Sequence, residues 1–339
     1  MTVLVTGATG FLGNHVARLL AERGNRVRVL VRSRSTRLDG MAVERVSGDL
    51  RDAASLARAT EGVETVYHVA ADYRLWARDP REIYESNVGG TRNLLQAARN
   101  AGVRRFVYTS TVATVAVPQA GSLPDERTVT TVDQMIGHYK RSKWLAEQEA
   151  FAAARAGVPV VIVNPTTPVG PGDAKPTPTG RTVVDFLNGR MPAYVEAGLN
   201  WVPVEDAAAG HLLAAEQGTV GERYILGGEN LSLKQVFDVL AAVSDQPAPR
   251  VRLPHALVLA VGYADAAVSR VLGREPRVPL DGVRMARHSM FVDSGKARRE
   301  LEFTPGPVAA ALERAVRWYQ ANGYAPVRRT AGAAQAHAA

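Results

Sequence analysis

The sequence predicts an α/β fold, a Rossmann-type doubly wound parallel sheet with a smaller C-terminal α/β substrate (cap) domain. Short apolar strands rich in β-branched residues alternate with amphipathic helices through the first half of the chain. A glycine-rich turn, Thr6-Gly7-Ala8-Thr9-Gly10-Phe11-Leu12-Gly13, joins the first strand to the first helix. After Asn164 the regular alternation gives way to shorter, less patterned segments.

The elements follow in order. Residues 1–6 (MTVLVT) carry no charged side chain and read as a buried strand. An amphipathic helix over 11–23 ends at Gly24, which suits the left-handed position just beyond a helix. Residues 26–32 (RVRVLVR) alternate as a second strand. Short apolar runs at 43–46, 64–69 and 104–109 are further strands, and 158–164 is the last of this half. Helices are predicted between them at 52–61, 80–101 and 133–156. Such alternation implies right-handed βαβ crossovers. Residues 165–181, rich in Pro, Gly and Thr, read as irregular. Beyond them a strand is expected near 222–227, a helix near 232–244 and an apolar helix near 254–272. The chain therefore divides into a dinucleotide-binding domain, 1–164, and a substrate-binding cap region, 165–326, from which the chain is free to cross back. Residues 327–339 read as a disordered tail.

Composition excludes several classes of function. A length of 339 residues suits two compact domains or one large one. The absence of cysteine removes disulfides, thiolate catalysis and thiolate-bound metals. The seven histidines are scattered with no HxxxH pair, so no metal site is expected. No run reaches the ~18 apolar residues of a membrane span. The chain enters a strand pattern with no basic leader, so a cytoplasmic location is expected. The net charge is +8, but arginines supply 36 of the 41 basic residues and lie singly or in short pairs rather than in blocks. No nucleic-acid partner is therefore expected. The apolar stretch 253–263 (LPHALVLAVGY) reads as a buried cap helix, because the basic polar face of an interfacial helix is missing. At most a peripheral membrane contact is expected.

Three groups of residues carry chemistry. The glycine turn lets backbone approach a pyrophosphate, and the following helix N-terminus offers unpaired N–H groups. The second strand ends Val31-Arg32-Ser33-Arg34, with no acid before Asp39. An arginine there suits the 2′-phosphate of NADP(H), so NADP(H) is favoured and NAD(H) is the alternative. Asp49, after the third strand, is a candidate for the adenine amino group or an N-cap for the next helix. In the helix before the sixth strand, Tyr139 and Lys143 stand four apart and share a face. A neighbouring ammonium is expected to lower the tyrosine pKa toward the working range, making Tyr139 a general acid/base. The strand Val107-Tyr108-Thr109-Ser110-Thr111 ends in hydroxyls at the carboxyl edge, where open α/β sheets bind ligands. One of these can donate to a developing alkoxide. Alternation places Thr109 and Thr111 on one face and Ser110 on the other.

With these residues assembled, the chain resembles the extended short-chain dehydrogenase/reductase superfamily. The resemblance runs from residue 1 to about 325 and rests on TGATGFLG (6–13), GDL (48–50), HVAA (68–71), NVGGT (87–91), YTST (108–111), YKRSK (139–143) and NPTTPVGPGD (164–173). Within it, residues 71–76 (ADYRLW), 136–143 (IGHYKRSK) and 175–181 (KPTPTGR) are similar to the hopanoid-associated sugar epimerase family, which is close to dihydroflavonol 4-reductases. The resemblance implies Thr111 as the catalytic Ser/Thr, Tyr139 as acid/base and Lys143 as the ribose-binding lysine. It implies that Asn164, Pro165 and Thr167 flank the nicotinamide, and that Leu50, Val69, Ala70, Ala71 and Thr109 line the cofactor. The chain departs from its relatives at Trp201-Val202-Pro203-Val204-Glu205-Asp206, where a histidine usually stands two residues before the first acid.

The reaction is weighed on residues. Dehydratases of the superfamily carry an Asp-Glu pair directly after the catalytic Ser/Thr, and here Val112 and Ala113 follow Thr111. Sugar 4-epimerases retain NAD and typically have an acid where Arg32 stands. Tyr73, Leu75 and Trp76 give the expected pocket rim an apolar character, and Tyr73, Arg74, Trp76, Thr111 and Arg181 are the substrate candidates. The leading expectation is reduction of a ketone or aldehyde, linked through the resemblance to hopanoid lipid metabolism. A nucleotide-sugar or lipid-sugar epimerase is the alternative. The expected partner is a small-molecule or lipid-linked carbonyl or sugar substrate. A homodimer is also expected, since relatives often pair through a four-helix bundle that includes the Tyr-Lys helix.

Overall fold

The computed structural model describes residues 1–117, 122–272, 274, 276 and 280–327. The expected tail lies, from residue 328 on, outside the described residues.

The N-terminal half builds strand and helix in turn. In chain order these are β1 (Thr2–Thr6), α1 (Phe11–Glu22), β2 (Arg26–Val31), β3 (Val43–Ser47), α2 (Ala53–Thr60), β4 (Thr65–His68), α3 (Arg81–Tyr84), α4 (Gly90–Asn100), β5 (Arg105–Thr109), α5 (Gly137–Arg155) and β6 (Val160–Pro165). Strands β4 and β6 are buried along their whole length, as expected of strands covered on both faces. In α1, Gly13, Asn14, Val16, Ala17 and Leu20 are buried, a three-and-four spacing that turns one stripe to the sheet. The helix expected over 80–101 is interrupted by a π-helical turn at Glu85–Gly89, and the one expected from 133 begins at Gly137. Before it, Val132–Gln134 makes a separate 3-10 turn, closed by a capping box between Thr131 and Gln134.

The second half continues with β7 (Thr167–Val169), α6 (Pro178–Leu187), β8 (Ala193–Val195), β9 (Gly198–Pro203), α7 (Val204–Gln217), β10 (Arg223–Leu226), β11 (Glu229–Ser232), α8 (Leu233–Ser244), β12 (Val251–Leu253), α9 (His255–Val271), α10 (Leu280–Met285), α11 (Gly295–Glu300) and α12 (Val308–Ala321). Residues 165–181 are thus not irregular throughout. Pro178 opens α6, where a missing N–H costs no hydrogen bond, and the Thr177 hydroxyl accepts from the Gly180 N–H.

The main sheet is parallel, in the order β10-β6-β5-β4-β1-β2-β3. Its strand order reverses at β1 and β4, the crevice where ligands bind in such sheets. The edge strand β10 comes from beyond Asn164, so the chain returns to the first sheet after leaving it. Helix α7 packs its Ala207, Ala208 and Leu212 into the same apolar cluster as Val16, Ala17 and Leu20 of α1. The opposite face is covered by α2, α4 and α5, whose Leu56, Leu94, Ala146 and Ala150 meet Phe106 and Ile162. A separate core holds the cap together: Phe186 and Phe237 stack with ring centroids 5.6 Å apart, alongside Trp201, Leu312 and Tyr319. Two small sheets, β11-β9-β7 and β12-β8, complete it.

The apolar helix expected to be buried is not. Of the 17 residues of α9, only Gly262 and Ser269 are buried. Its inner side rests on α10, and no described element covers its outer side.

Candidate active site

The glycine turn is built for close approach. Gly7 has φ +76°, and a Cβ added to it would meet the Ala70 backbone nitrogen at 2.6 Å. A Cβ on Gly13 would meet the Gly7 carbonyl oxygen at 2.2 Å, so only hydrogen fits between the turn and α1. The turn is closed by the Gly10 N–H donating to the Gly7 carbonyl at 2.8 Å. Thr9, Gly10, Phe11 and Leu12 remain partly exposed along this cradle, as do Val69, Ala70 and Ala71 across from it. The Thr6 hydroxyl accepts from the Ala70 N–H at 3.2 Å and fixes the two strand ends together.

Arg32 stands just past β2, exposed, with no hydrogen bond or ion pair among the described residues. Asp49 is held by Arg51 through paired contacts of 3.0 and 2.9 Å, which keep its carboxyl down at about 2. Asp49 does not cap the following helix. That role falls to Asp52, whose carboxylate accepts from the Ala54 N–H at 3.0 Å. Leu50 is buried, and its carbonyl accepts from Asn93 Nδ2 at 3.0 Å.

The Tyr-Lys pair sits on α5 beneath the carboxyl end of β5. Tyr139 is half-buried, and burial pushes its phenol up to about 12, with a hydrogen bond from Thr111 acting the other way. This reverses the lowered pKa that the spacing suggests. The Lys143 ammonium is committed elsewhere: it donates to Tyr108 OH at 2.9 Å and to the Thr109 carbonyl at 2.7 Å. Burial in turn draws Lys143 down to about 7, opposed by Glu147.

Other buried groups surround these and were not legible as functional in the sequence. Tyr108 Oη receives Lys143 Nζ, and the Tyr108 ring lies 4.5 Å from the same nitrogen. His68 links the Thr6 and Thr91 hydroxyls at 2.8 and 2.9 Å and, wholly buried, is drawn down to about 3, so it is neutral. Glu147 sits one turn beyond Lys143, the signal that could have found it. It accepts from Ser110, from Thr114 at 2.9 Å, from Asn164 at 2.9 Å and from Arg223 at 3.0 Å. Ser110 points toward α5, and so does Thr111, which lies beyond the end of β5 and bonds Tyr139, so Thr109 and Thr111 do not share the one face that alternation suggests. Thr109 lies 3.0 Å from His211 of α7.

Asn164 closes the floor. Its Nδ2 donates to the Thr111 carbonyl at 3.0 Å, and its Oδ1 is buried without a partner. Pro165 and Thr167 are buried beside it. The substrate candidates are scattered by comparison. Tyr73 and Trp76 are exposed. Arg74 is tied to Asp72 at 2.6 Å and Glu82 at 2.9 Å, which leaves it poorly placed to take a substrate anion. Arg181 is exposed on α6. No group of three or more potential metal ligands occurs among the described residues.

A nicotinamide dinucleotide fits what is present. The cradle admits backbone and nothing bulkier, the unpartnered Asn164 Oδ1 can accept from an amide, and the strand-end cation is uncommitted. Fold and cradle together define a dinucleotide-dependent enzyme.

Residues 3–227 match the NAD dependent epimerase/dehydratase family. A putative dihydroflavonol 4-reductase of Synechocystis sp. is 46% identical over 326 residues, covering 94% of this chain and 95% of that one. Sterol demethylase protein B of Methylococcus capsulatus is 39% identical over 327 residues, covering 95% and 99%. The crystal structure of a nucleoside-diphosphate-sugar epimerase from Pseudomonas aeruginosa superposes with a TM-score of 0.80 at 30% identity, covering 96% of this chain and 99% of that one. The chain belongs to the NAD-dependent epimerase/dehydratase family, and is an oxidoreductase of the extended short-chain dehydrogenase/reductase type. No helix among the described residues is long and apolar enough to cross a membrane.

Proposed function

We propose that this protein reduces the ketone or aldehyde of an apolar, lipid-like substrate, using NADP(H) in preference to NAD(H). The observation that carries the reading is the Tyr139–Thr111 pair. A phenol held near 12 by burial is protonated throughout the neutral range, so it is a proton donor ready for a carbonyl oxygen.

The nicotinamide dinucleotide, bound at the glycine cradle, supplies the hydride. Gly7, Gly10 and Gly13 would admit the pyrophosphate, Arg32 would pair with the 2′-phosphate, and Asn164, with the N–H of Lys143 left over from Tyr108 and Thr109, would hold the nicotinamide riboside. Thr111 holds the carbonyl oxygen and Tyr139 gives it the proton. Val112 and Ala113 follow Thr111 as buried apolar residues, so the acid pair needed for dehydration is missing. The names of two relatives support the reading: one is called a reductase and the other is named for sterols. A polycyclic lipid such as a triterpenoid is the favoured substrate class, in line with a place near hopanoid synthesis.

The test is NADPH oxidation by the purified protein against a panel of cyclic ketones, steroidal ones included. Tyr139→Phe is expected to lower kcat by roughly 100-fold or more while leaving NADPH binding intact. Near-normal turnover by that variant would overturn the mechanism. Stoichiometric NAD(H) released on denaturing the protein would overturn the reductase reading in favour of an epimerase.

A further inference from the structure

Helix α9 presents an apolar stripe that the proposed reaction does not use. Leu257, Ala260, Val261, Ala264, Val268 and Val271 recur at spacings of three and four, so they share one face. All are exposed, Val271 to 87%, and Leu272 just beyond extends the stripe at 64%. At 1.5 Å per residue the stripe is about 25 Å long. No charged residue falls on it. Single exposed apolar residues need no explanation, but a continuous uncharged stripe of this length marks a contact surface.

The charge carried by α9 and by the segments before it and after α10 selects the partner. Arg250, Arg270 and Arg287 are exposed, with no ion pair among the described residues. The nearby acids are half-buried and already paired, Asp265 with Arg274 at 3.1 Å and Asp281 with Arg284 at 3.6 Å. Among the described residues of α9 itself, the exposed charge without an ion pair is therefore the positive one of Arg270. A second copy of the chain on this face would add the same unpaired positive charge to it, which is unfavourable. An anionic bilayer instead offers acyl chains to the stripe and phosphate to the arginines.

The stripe is also coupled to the active site. His255 of α9 lies 2.8 Å from the Val283 carbonyl of α10, and Arg284 donates to Tyr263 at 3.0 Å. The Asp281 carboxylate of α10 packs against Gly137, two residues before Tyr139.

We infer that the outer face of α9 docks this protein on the surface of anionic lipid bilayers. Docking stands on the geometry of α9 alone. That it brings the site to a membrane-dissolved substrate rests on the reductase reading above.

The experiment is co-sedimentation of the full chain with vesicles of phosphatidylcholine, alone or mixed with phosphatidylglycerol. Binding to the mixed vesicles is expected, weakening as salt is raised. The double variant Leu257→Glu/Val268→Glu is expected to lose at least about tenfold in partition, with its thermal melt unchanged because both positions are exposed. Arg270→Gln/Arg287→Gln provides a second, milder variant, expected to weaken binding to the mixed vesicles only. Failure of the wild type to bind either vesicle, or equal binding by the glutamate variant, overturns the proposal. So does a wild-type dimer that the glutamate variant converts to monomer, which would assign the face to a second copy. Turnover of a water-soluble ketone is expected to be the same in all variants. Its absence in the wild type would count against the reductase reading and leave the vesicle result standing.

Discussion

Lys140, next to Tyr139, is a poorly satisfied charge near the site. It is 8% exposed, and its ammonium's one hydrogen-bond partner among the described residues is Met290 Sδ at 3.7 Å, a weak acceptor. Burial draws its ammonium down to about 8, with Asp281 opposing. In the unfolded chain the group titrates near its ordinary value of 10.5. Between those two values the unfolded chain holds more protons, so this residue's contribution to stability rises with pH across that window. Below about 8 the full penalty of burying the ammonium is present, roughly 3 kcal/mol at most. Lys140→Met removes it and fills the same volume. The variant is expected to melt higher than wild type at neutral pH, the gain fading as pH approaches 10.5, as thermal unfolding at several pH values would show. A variant less stable than wild type at neutral pH would mean that Asp281 more than offsets the burial. At this scale the sequence was informative about residue type and silent about sign. The four-residue spacing of Tyr139 and Lys143 put both on one helix face. The direction of the Tyr139 shift depends on Thr111 and on what buries the ring from other parts of the chain, which spacing does not reveal.

One buried carboxylate ties helix α5 to three strands. Glu147 reaches β5 through Ser110, β6 through Asn164 and β10 through Arg223, whose own side chain also donates to the Glu126 and Thr128 carbonyls at 2.8 and 2.6 Å. Removing one member of such a buried pair strands the other charge, at a cost of about 3–5 kcal/mol. Glu147→Gln is expected to destabilise by that order in urea unfolding, and the double variant Glu147→Gln/Arg223→Met by less than the sum of the two single changes. Additive losses would show that the pair is not coupled. Because Glu147 also supports the charged form of Lys143, the single variant should lower the Lys143 pKa further below about 7. Elements of this kind were legible where period and burial agree, as in α1 and β4. They were misread where composition and conformation part. Pro178 looked like a helix breaker but sits at the one turn that tolerates it. The apolar sequence of α9 looked like core, yet hydropathy cannot say whether a neighbour is present to cover it.

At the scale of the whole molecule, the alternation of the first half foretold the parallel sheet, and the chain was expected to be free to cross back, but neither showed that the returning segment, after β7, β8 and β9, would be the edge strand β10. A long-range pairing of that sort leaves no local trace. What the assembled sheet does is bring three charged positions to one rim. Arg32 follows β2, Asp49 follows β3 and Asp72 follows β4, and the Arg32 charge is felt by both carboxylates. Asp49 is neutralised by Arg51 and Asp72 by Arg74, so of these three positions Arg32 holds the uncommitted charge. A phosphate there would gain a charge-assisted hydrogen bond of about 1.5–3 kcal/mol and meet little repulsion. NADPH is therefore expected to bind at least about tenfold more tightly than NADH, the equivalent of ~1.4 kcal/mol. Since ligand bound only to the folded state stabilises it by mass action, NADPH at about 100 times its Kd should add roughly 2.7 kcal/mol to global stability. Arg32→Gln should bring the two dinucleotides to similar affinity, chiefly by weakening NADPH. Titration calorimetry and melting curves of both proteins with both dinucleotides read this directly. Equal affinities in the wild type would remove Arg32 as the discriminating residue and move the choice of dinucleotide to Arg34 or to the cap.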